Sequence, residues 1–532
     1  MSTRCLPVTS NVVPVTVRAT YRLLAVLVLT SLLLTGCIFD RRSDDSAPDG
    51  PSTIAWRDCP ELVEELLGDL LPEGMLEQLT ADLTYECGTV EVPQDWDEPD
   101  RPEKFEIALT RIRHAQQANR IGSLLINPGG PGASGIESAV YLSFGPAFGG
   151  LSNRVMQRFD LIGFDPRGVG RSSPVECFSN ADLDASFAAD PDPAGEAEFE
   201  AMVAEARRSG QICADKYGPA LGLFSTRQTA HDLDALRRAL GDDRLTYLGF
   251  SYGTLIGAVY AHLYPERIRA MVLDGAVDPT ESFIESSEEQ ARGFERAFDN
   301  FATWCAQHPQ QCPLEPDART AVTEALAQAR RAPVTGPDGR KATAGWVFTA
   351  VVAALYSQQF WPVLAAALLQ LEDGDATGVF DLADSYASRD ENGEYTNMFD
   401  ANTAINCADA GERVNLTQIR QLQEEWREKY PLFGAPLATG AVTCTEWPAP
   451  ADPYPTGPAT GAPPIVVVGT TGDPATPYEA TERLAELLGV GVVITVEGEG
   501  HTAYPENRCV AEAVNAYLID LAAPTDGTTC QG

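Results

Sequence analysis

Histidine is scarce in this chain of 532 residues, with only five, and basic side chains are outnumbered two to one: 38 Lys+Arg against 76 Asp+Glu, a formal net charge of −38. Five histidines argue against a histidine-rich metal site. The shortage of Lys and Arg argues against a nucleic-acid partner, because phosphate contacts need clustered cations. No CxxC pair occurs, and His308, beside Cys305 and Cys312, lacks a fourth ligand, so neither a metal nor a cofactor is expected. Beyond the first 37 residues no apolar run is long enough to span a bilayer, which takes about 20 residues. The stretch around Val351–Leu371 is interrupted by Tyr356-Ser357-Gln358-Gln359, Trp361-Pro362 and Gln370, and reads as a buried helix. Hydrophobic residues make up 44%, too many for a disordered chain and enough for a sizeable core. The length allows up to about three domains, or one large fold with an insertion.

Cysteine, by contrast, is plentiful, and it raises the question of compartment. Arg18 and Arg22 precede the short apolar run Leu23–Leu34, followed by Thr35-Gly36-Cys37. A basic start and an apolar run of this length read as an export signal. The ending Leu34-Thr35-Gly36-Cys37 resembles the bacterial lipobox, whose cysteine is lipidated and becomes the mature N-terminus; an incidental cysteine at an ordinary cleavage site is the alternative. The expected order is a signal peptide over 1–36, lipid on Cys37 and a flexible tether over 37–53, holding an extracytoplasmic protein at the outer face of the membrane. Setting aside Cys5 and Cys37 leaves Cys59, Cys87, Cys177, Cys213, Cys305, Cys312, Cys407, Cys444, Cys509 and Cys530. Outside the cytoplasm these pair. Their number does not determine connectivity; neighbour pairing, which closes only local loops, is the expectation.

From about residue 120 to 275, short β-rich runs alternate with helical periodicity. Ser123–Asn127, Phe159–Phe164, Leu245–Leu248 and Ala270–Asp274 lack polar alternation, as strands buried on both faces of a parallel sheet do. Thr229–Gly241 has helical spacing and a terminal glycine stop. Residues 276–460 change character: helical patterns, Pro/Gly breaks and no buried-strand signal. The buried strands resume at Pro464–Gly469 and Val492–Val496. The expected fold is α/β, with a mostly parallel central sheet over 54–275 and 461–532 interrupted by a large helical cap over 276–460.

The chemistry gathers at strand ends. Gly249-Phe250-Ser251-Tyr252-Gly253 follows the strand Leu245–Leu248 and precedes a helix-competent run, the strand–turn–helix setting of a nucleophile elbow. G-x-S-x-G alone is common, and a serine in an ordinary βα turn is the bland alternative. That alternative does not account for the partners, which come in the order Ser, Asp, His. Asp473 lies in Gly469–Pro477 after one strand and His501 in Glu497–Thr502 after the next, 28 residues on. His501 would take and return the Ser251 proton, and Asp473 would hold its tautomer. His231 and His262 on helical patterns, His114 in an early β region and His308 between cysteines suit structural roles better. Asp274, at the end of its own strand, is the rival acid. Asn127-Pro128-Gly129-Gly130-Pro131-Gly132-Ala133-Ser134-Gly135 follows the strand Ser123–Ile126, and its glycines let backbone amides approach a developing oxyanion. Gly130 N–H and Tyr252 N–H are the candidates. Asp165–Ser172 reads as a structural turn bracing the pocket.

In Asn127–Gly135, Asp165–Ser172, Gly249–Gly253, Gly472–Pro477 and Gly500-His501 the chain resembles the tripeptidyl aminopeptidase and proline iminopeptidase branch of the α/β-hydrolases, in its secreted actinobacterial form. The likeness covers the α/β core, with the insertion matching in position and length only. Pro128 stands where proline iminopeptidases usually carry histidine before Gly-Gly-Pro-Gly, which fits the tripeptidyl-like branch better. The resemblance implies a serine aminopeptidase acting on peptides with a free N-terminus. Such an enzyme must hold a cationic α-amine, usually with cap carboxylates, and residues 276–460 hold 27 acidic against 12 basic side chains, a net −15. Glu285, Glu288, Glu289 and Glu295 share a helical pattern suited mostly to a solvated face; Glu285 and Asp409 are the candidates for substrate contact. A lipid-anchored carboxylesterase using the same triad is the alternative, and a catalytically silent surface binding protein the third reading.

Overall fold

Leu124-Leu125-Ile126 and Val466-Val467-Val468 are apolar without a break because both sides of their strands are covered. Leu125 and Val467 point into one hydrophobic core, and Leu124, Ile126, Val466 and Val468 into another on the opposite face. Each such side chain contributes roughly 1.5–3 kcal/mol on burial. The protein is described here by a computed structural model covering residues 54–68 and 74–532; the expected signal, Cys37 and the tether lie outside the described residues.

The strands are β1 Arg57–Asp58, β2 Leu83–Pro93, β3 Lys104–His114, β4 Gly122–Asn127, β5 Phe159–Phe164, β6 Leu245–Phe250, β7 Ile268–Asp274, β8 Val334–Thr335, β9 Lys341–Ala342, β10 Ile465–Gly472, β11 Gly491–Glu499 and β12 Thr528–Gln531. All but β8 and β9 form one sheet in the order β1-β2-β3-β5-β4-β6-β7-β10-β11-β12. The first three strands and the β3–β5 junction are antiparallel, and every later pairing is parallel. One face is covered by helices that include Thr226–Ala239, Tyr252–Leu263 and Glu479–Leu488, the other by Gly135–Ser143 and Arg508–Asp520.

Between β7 and β10 run eight α-helices, from Phe283–Gln307 to Gly434–Thr445, around a separate core of Phe294, Phe298, Trp346, Trp361 and Phe433. The apolar stretch read as one helix is two, Ala344–Leu355 and Trp361–Glu372. Pro362 lies in the first turn of the second, where its missing N–H costs nothing, so the chain breaks ahead of it. The helices Asn180–Ala188 and Glu196–Tyr217 belong in sequence to the first half of the core but pack on the inserted helices. Phe199, Val203 and Ala206 meet Ile419, Ala441 and Val442, and Arg330 and Arg427 reach Asp190 and Asp192. The ten cysteines pair as neighbours: Cys59–Cys87, Cys177–Cys213, Cys305–Cys312, Cys407–Cys444 and Cys509–Cys530. Such bonds persist in oxidising compartments and fit a place outside the cytoplasm. Among the described residues no helix is long and apolar enough to cross a membrane.

Candidate active site

Ser251 ends the β6 turn at φ 52°, ψ −126°, backbone angles that cost a non-glycine residue about 1–3 kcal/mol. Its surroundings hold it there. Ser251 N–H donates to Asp274 O at 2.9 Å, and Ser251 O accepts from Thr254 N–H at 2.8 Å and Oγ1–H at 2.6 Å. The flanking glycines are required by space: a Cβ on Gly249 would lie 2.4 Å from Gly253 O, and one on Gly253 would lie 2.6 Å from Asn127 O.

Asp473 follows β10 and is fully buried. Its Oδ1 accepts from Ala475 and Thr476 N–H at 2.9 Å each, and its Oδ2 from Thr476 Oγ1 at 3.0 Å. His501, after β11, turns Nδ1 toward Asp473 at 2.8 Å from Oδ2 and 3.0 Å from Oδ1. Burial works against the imidazolium, but the charge and hydrogen bond of Asp473 outweigh it and hold the His501 pKa above the ordinary imidazole value. His501 N–H donates to Tyr356 O of the insertion at 2.8 Å, and the Tyr356 ring meets the imidazole edge-on at 5.3 Å. Asp274 is placed differently. Its Oδ2 accepts from Ala503 and Tyr504 N–H at 3.0 and 2.7 Å, so it anchors the chain just beyond His501.

The glycine loop passes directly over the elbow. Gly129, Gly130 and Gly132 have φ of 98°, 103° and 102°, and a Cβ on Gly129 would lie 2.6 Å from Phe250 O and 2.9 Å from Tyr252 N. Tyr252 opens its helix, where an N–H has no intrahelical acceptor. The Asp165–Ser172 turn has the bracing role expected. Buried Asp165 accepts from Ser134 Oγ at 2.6 Å, Ile136 N at 3.2 Å and Arg171 N at 2.8 Å. Arg167 makes a bidentate pair with Asp232, both bonds 2.7 Å.

Ser251, Gly130, Tyr252 and Tyr356 border a cavity of about 470 Å³. Asp278, Glu281, Glu285, Glu289, Asp409 and Glu412 also line it, with Arg483 as the one Lys or Arg among its lining residues. Arg483 pairs with Asp278 and Glu281. Burial and its acidic neighbours push Glu281 up to about 7 despite Arg483. Of the two substrate-contact candidates, Glu285 stands exposed at the start of its helix and accepts from Ser282 N–H at 2.8 Å, which lowers its pKa. Asp409 is half-buried on the cavity wall: each oxygen accepts one hydrogen bond from Thr226, at 2.9 Å from N and 2.5 Å from Oγ1, and burial pushes it up to about 7. Glu288 pairs with Lys429 and Glu295 with Arg319. The remaining histidines have other partners: His231 Tyr264 Oη, His262 Pro458 O, His308 Trp304 O, and His114 Gln116 N. Sequence reasoning missed Thr476, Tyr356, Asp278, Glu281 and Glu412. Thr476 alone carried a signal, three residues after the acid in the same loop.

Parallel sheet, strained serine turn and strand-end Asp–His pair define a class. The chain belongs to the α/β-hydrolase fold family, whose model matches residues 122–508. It is 38% identical over 526 residues to the serine protease Hip1 of Mycobacterium tuberculosis, covering 95% of this chain and 96% of that one. It is 37% identical over 495 residues to carboxylesterase B of the same species, 90% and 89% covered. It is 29% identical over 452 residues to the tripeptidyl aminopeptidase of Streptomyces coelicolor, 84% and 83% covered.

Proposed function

We propose that Ser251, His501 and Asp473 form a catalytic triad, and that the protein is an exported serine aminopeptidase releasing short N-terminal peptides through an acyl-enzyme. His501 Nε2 takes the Ser251 Oγ proton as Oγ attacks the scissile carbonyl, then gives it to the leaving amine; water reverses the steps and frees the peptide. Asp473 keeps Nδ1 protonated and stabilises the imidazolium. Gly130 and Tyr252 N–H receive the oxyanion. Export, with lipid on Cys37, is supported by the apolar N-terminal run and the disulfides.

The observation that carries the peptidase reading is the cavity beside Ser251, whose six acidic side chains outnumber its one arginine even with Glu281 and Asp409 raised to about 7. A cavity of that charge receives an α-ammonium and repels a carboxylate. Glu285, exposed on the cavity wall at the start of the insertion's first helix, is the proposed amine anchor; Glu281 is shared with Arg483 and Glu289 with Arg292. The carboxylesterase B relative favours the second reading, a lipid-anchored esterase using the same triad. A substrate panel separates them. Purified protein is expected to cleave tripeptidyl chromogens such as Ala-Ala-Pro-p-nitroanilide, and N-acetylation is expected to abolish turnover. Equal rates on free and blocked peptides, with simple esters far faster, would establish the esterase. Ser251→Ala is expected to remove the activity with the fold intact; full residual activity would sink the triad.

A further inference from the structure

The insertion does more than roof the cavity. Its helix Met398–Asp409 carries Asn402, Asn406 and Asp409 at i, i+4 and i+7, which places them on one face, with the outer pair about 10 Å apart along the axis. At one end Asn402 Nδ2 donates to Pro131 O at 3.0 Å, while its Oδ1 accepts from Asn406 Nδ2 at 3.0 Å. The glycine loop is pressed against this helix: a Cβ on Gly132 would lie 2.2 Å from Met398 O. At the other end Asp409 binds Thr226, and Thr226 Oγ1 lies 2.5 Å from Tyr252 Oη. Tyr252 is the residue after Ser251. The helix is itself tied to the core. Asn397 Nδ2 donates to Gly168 O and Val175 O at 2.8 Å each and Asp400 accepts from Cys177 and Phe178 N–H, while the Cys407–Cys444 bond ties it to the last helix of the insertion.

We infer that this helix sets the two oxyanion donors, Asn402 holding the Gly130–Pro131 segment and Asp409, through Thr226, holding Tyr252. The inference rests on the assignment of Gly130 and Tyr252 N–H as those donors. Neither Asn402 nor Asp409 touches the reacting atoms; both are positioning residues. Asp409, the expected amine contact, lines the cavity as well, and on this inference its positioning role runs through Thr226.

The test compares wild type with Asn402→Asp, which keeps the acceptor for Asn406 and removes the donor to Pro131, and with Asp409→Ala, which removes both contacts to Thr226. Tyr252→Phe removes the Thr226–Tyr252 contact at the other end of the same relay and carries that half if Asp409→Ala does not fold. For a tripeptidyl p-nitroanilide each variant is expected to lose about 10- to 100-fold in kcat with KM nearly unchanged, as displaced donors should. A tripeptidyl boronic acid, which forms a tetrahedral adduct on the serine, should lose affinity in proportion to kcat, while the product tripeptide should bind as before. Unchanged kcat overturns the inference, and unchanged boronate affinity with a raised KM overturns it and makes these residues substrate contacts. If wild type binds the boronate no more tightly than the product peptide, the oxyanion-hole assignment itself has failed. That outcome is distinct from variants that bind it as tightly as wild type does.

Discussion

Asp473 and Asp274 are both buried carboxylates at strand ends near His501, and their hydrogen bonds separate their work. Asp473 faces Nδ1 and two backbone amides; Asp274 holds Ala503 and Tyr504. Asp473→Asn should therefore lower kcat by about 10⁴-fold with the fold retained, as loss of the tautomer-setting acid does, whereas Asp274→Asn should keep most of its turnover. The proposed base must be neutral, so kcat/KM should fall as pH drops through a value above about 6.5. Asp274 also raises the His501 pKa, so Asp274→Asn should move that acid limb to lower pH. Burial raises Asp274 from 3.8 to about 6. Its contribution to stability is full below the unfolded value and lost as pH rises through the folded one, a change of roughly 3 kcal/mol at 1.36 kcal/mol per unit. Asp274→Asn should then be more stable than wild type at pH 8, with the gap closing toward pH 4 in paired melting curves.

Among the elements, those of local pattern were legible in the sequence. The strand before Asp473 is an unbroken apolar run and those before Ser251 and His501 are broken only by Thr246 and Thr495, each with a glycine at its end, so fold class and candidate site could be read together. Neighbour pairing of the cysteines agrees with an expectation that rested on closing local loops, not on anything in the sequence that fixes connectivity. What was not legible depends on contacts distant in the chain. Nothing near Asn402 announces Pro131, 271 residues away, and nothing in Glu196–Tyr217 says that its apolar face meets the insertion. The short, polar terminal strands β1 and β12 carry no apolar pattern and are held by pairing and by Cys59–Cys87 and Cys509–Cys530. The Cys407–Cys444 bond closes 37 residues at the end of the proposed positioning helix. Replacing both cysteines by alanine should cost about 2–5 kcal/mol and lower Tm, and should reduce kcat more than KM changes. A loss of stability with kcat untouched would separate this bond from the site.

For the whole molecule, the net −38 gave little beyond an argument against nucleic acid. The informative quantity is where the charge gathers. The insertion's −15 was countable, but only the fold brings Asp278 and Glu281, beside β7, together with Asp409 and Glu412 on one cavity. Attraction through that field is screened by salt, with a Debye length of about 8 Å at 0.15 M. Raising the ionic strength should therefore lower kcat/KM for free-amine peptides and leave a neutral ester nearly unaffected. Parallel salt dependences for the two would remove the electrostatic argument for amine recognition.

The bond from His501 N–H to Tyr356 O bears on traffic. Because the roof supplies an acceptor to the residue proposed as the base, a roof that swung open to admit cargo would unseat that residue while it did so. On the proposed function, a substrate that enters with this bond intact reaches Ser251 past the insertion, which suits a loose chain end better than a folded protein. The molecule would then sort what it cuts by the looseness of the terminus offered to it before any residue preference applies.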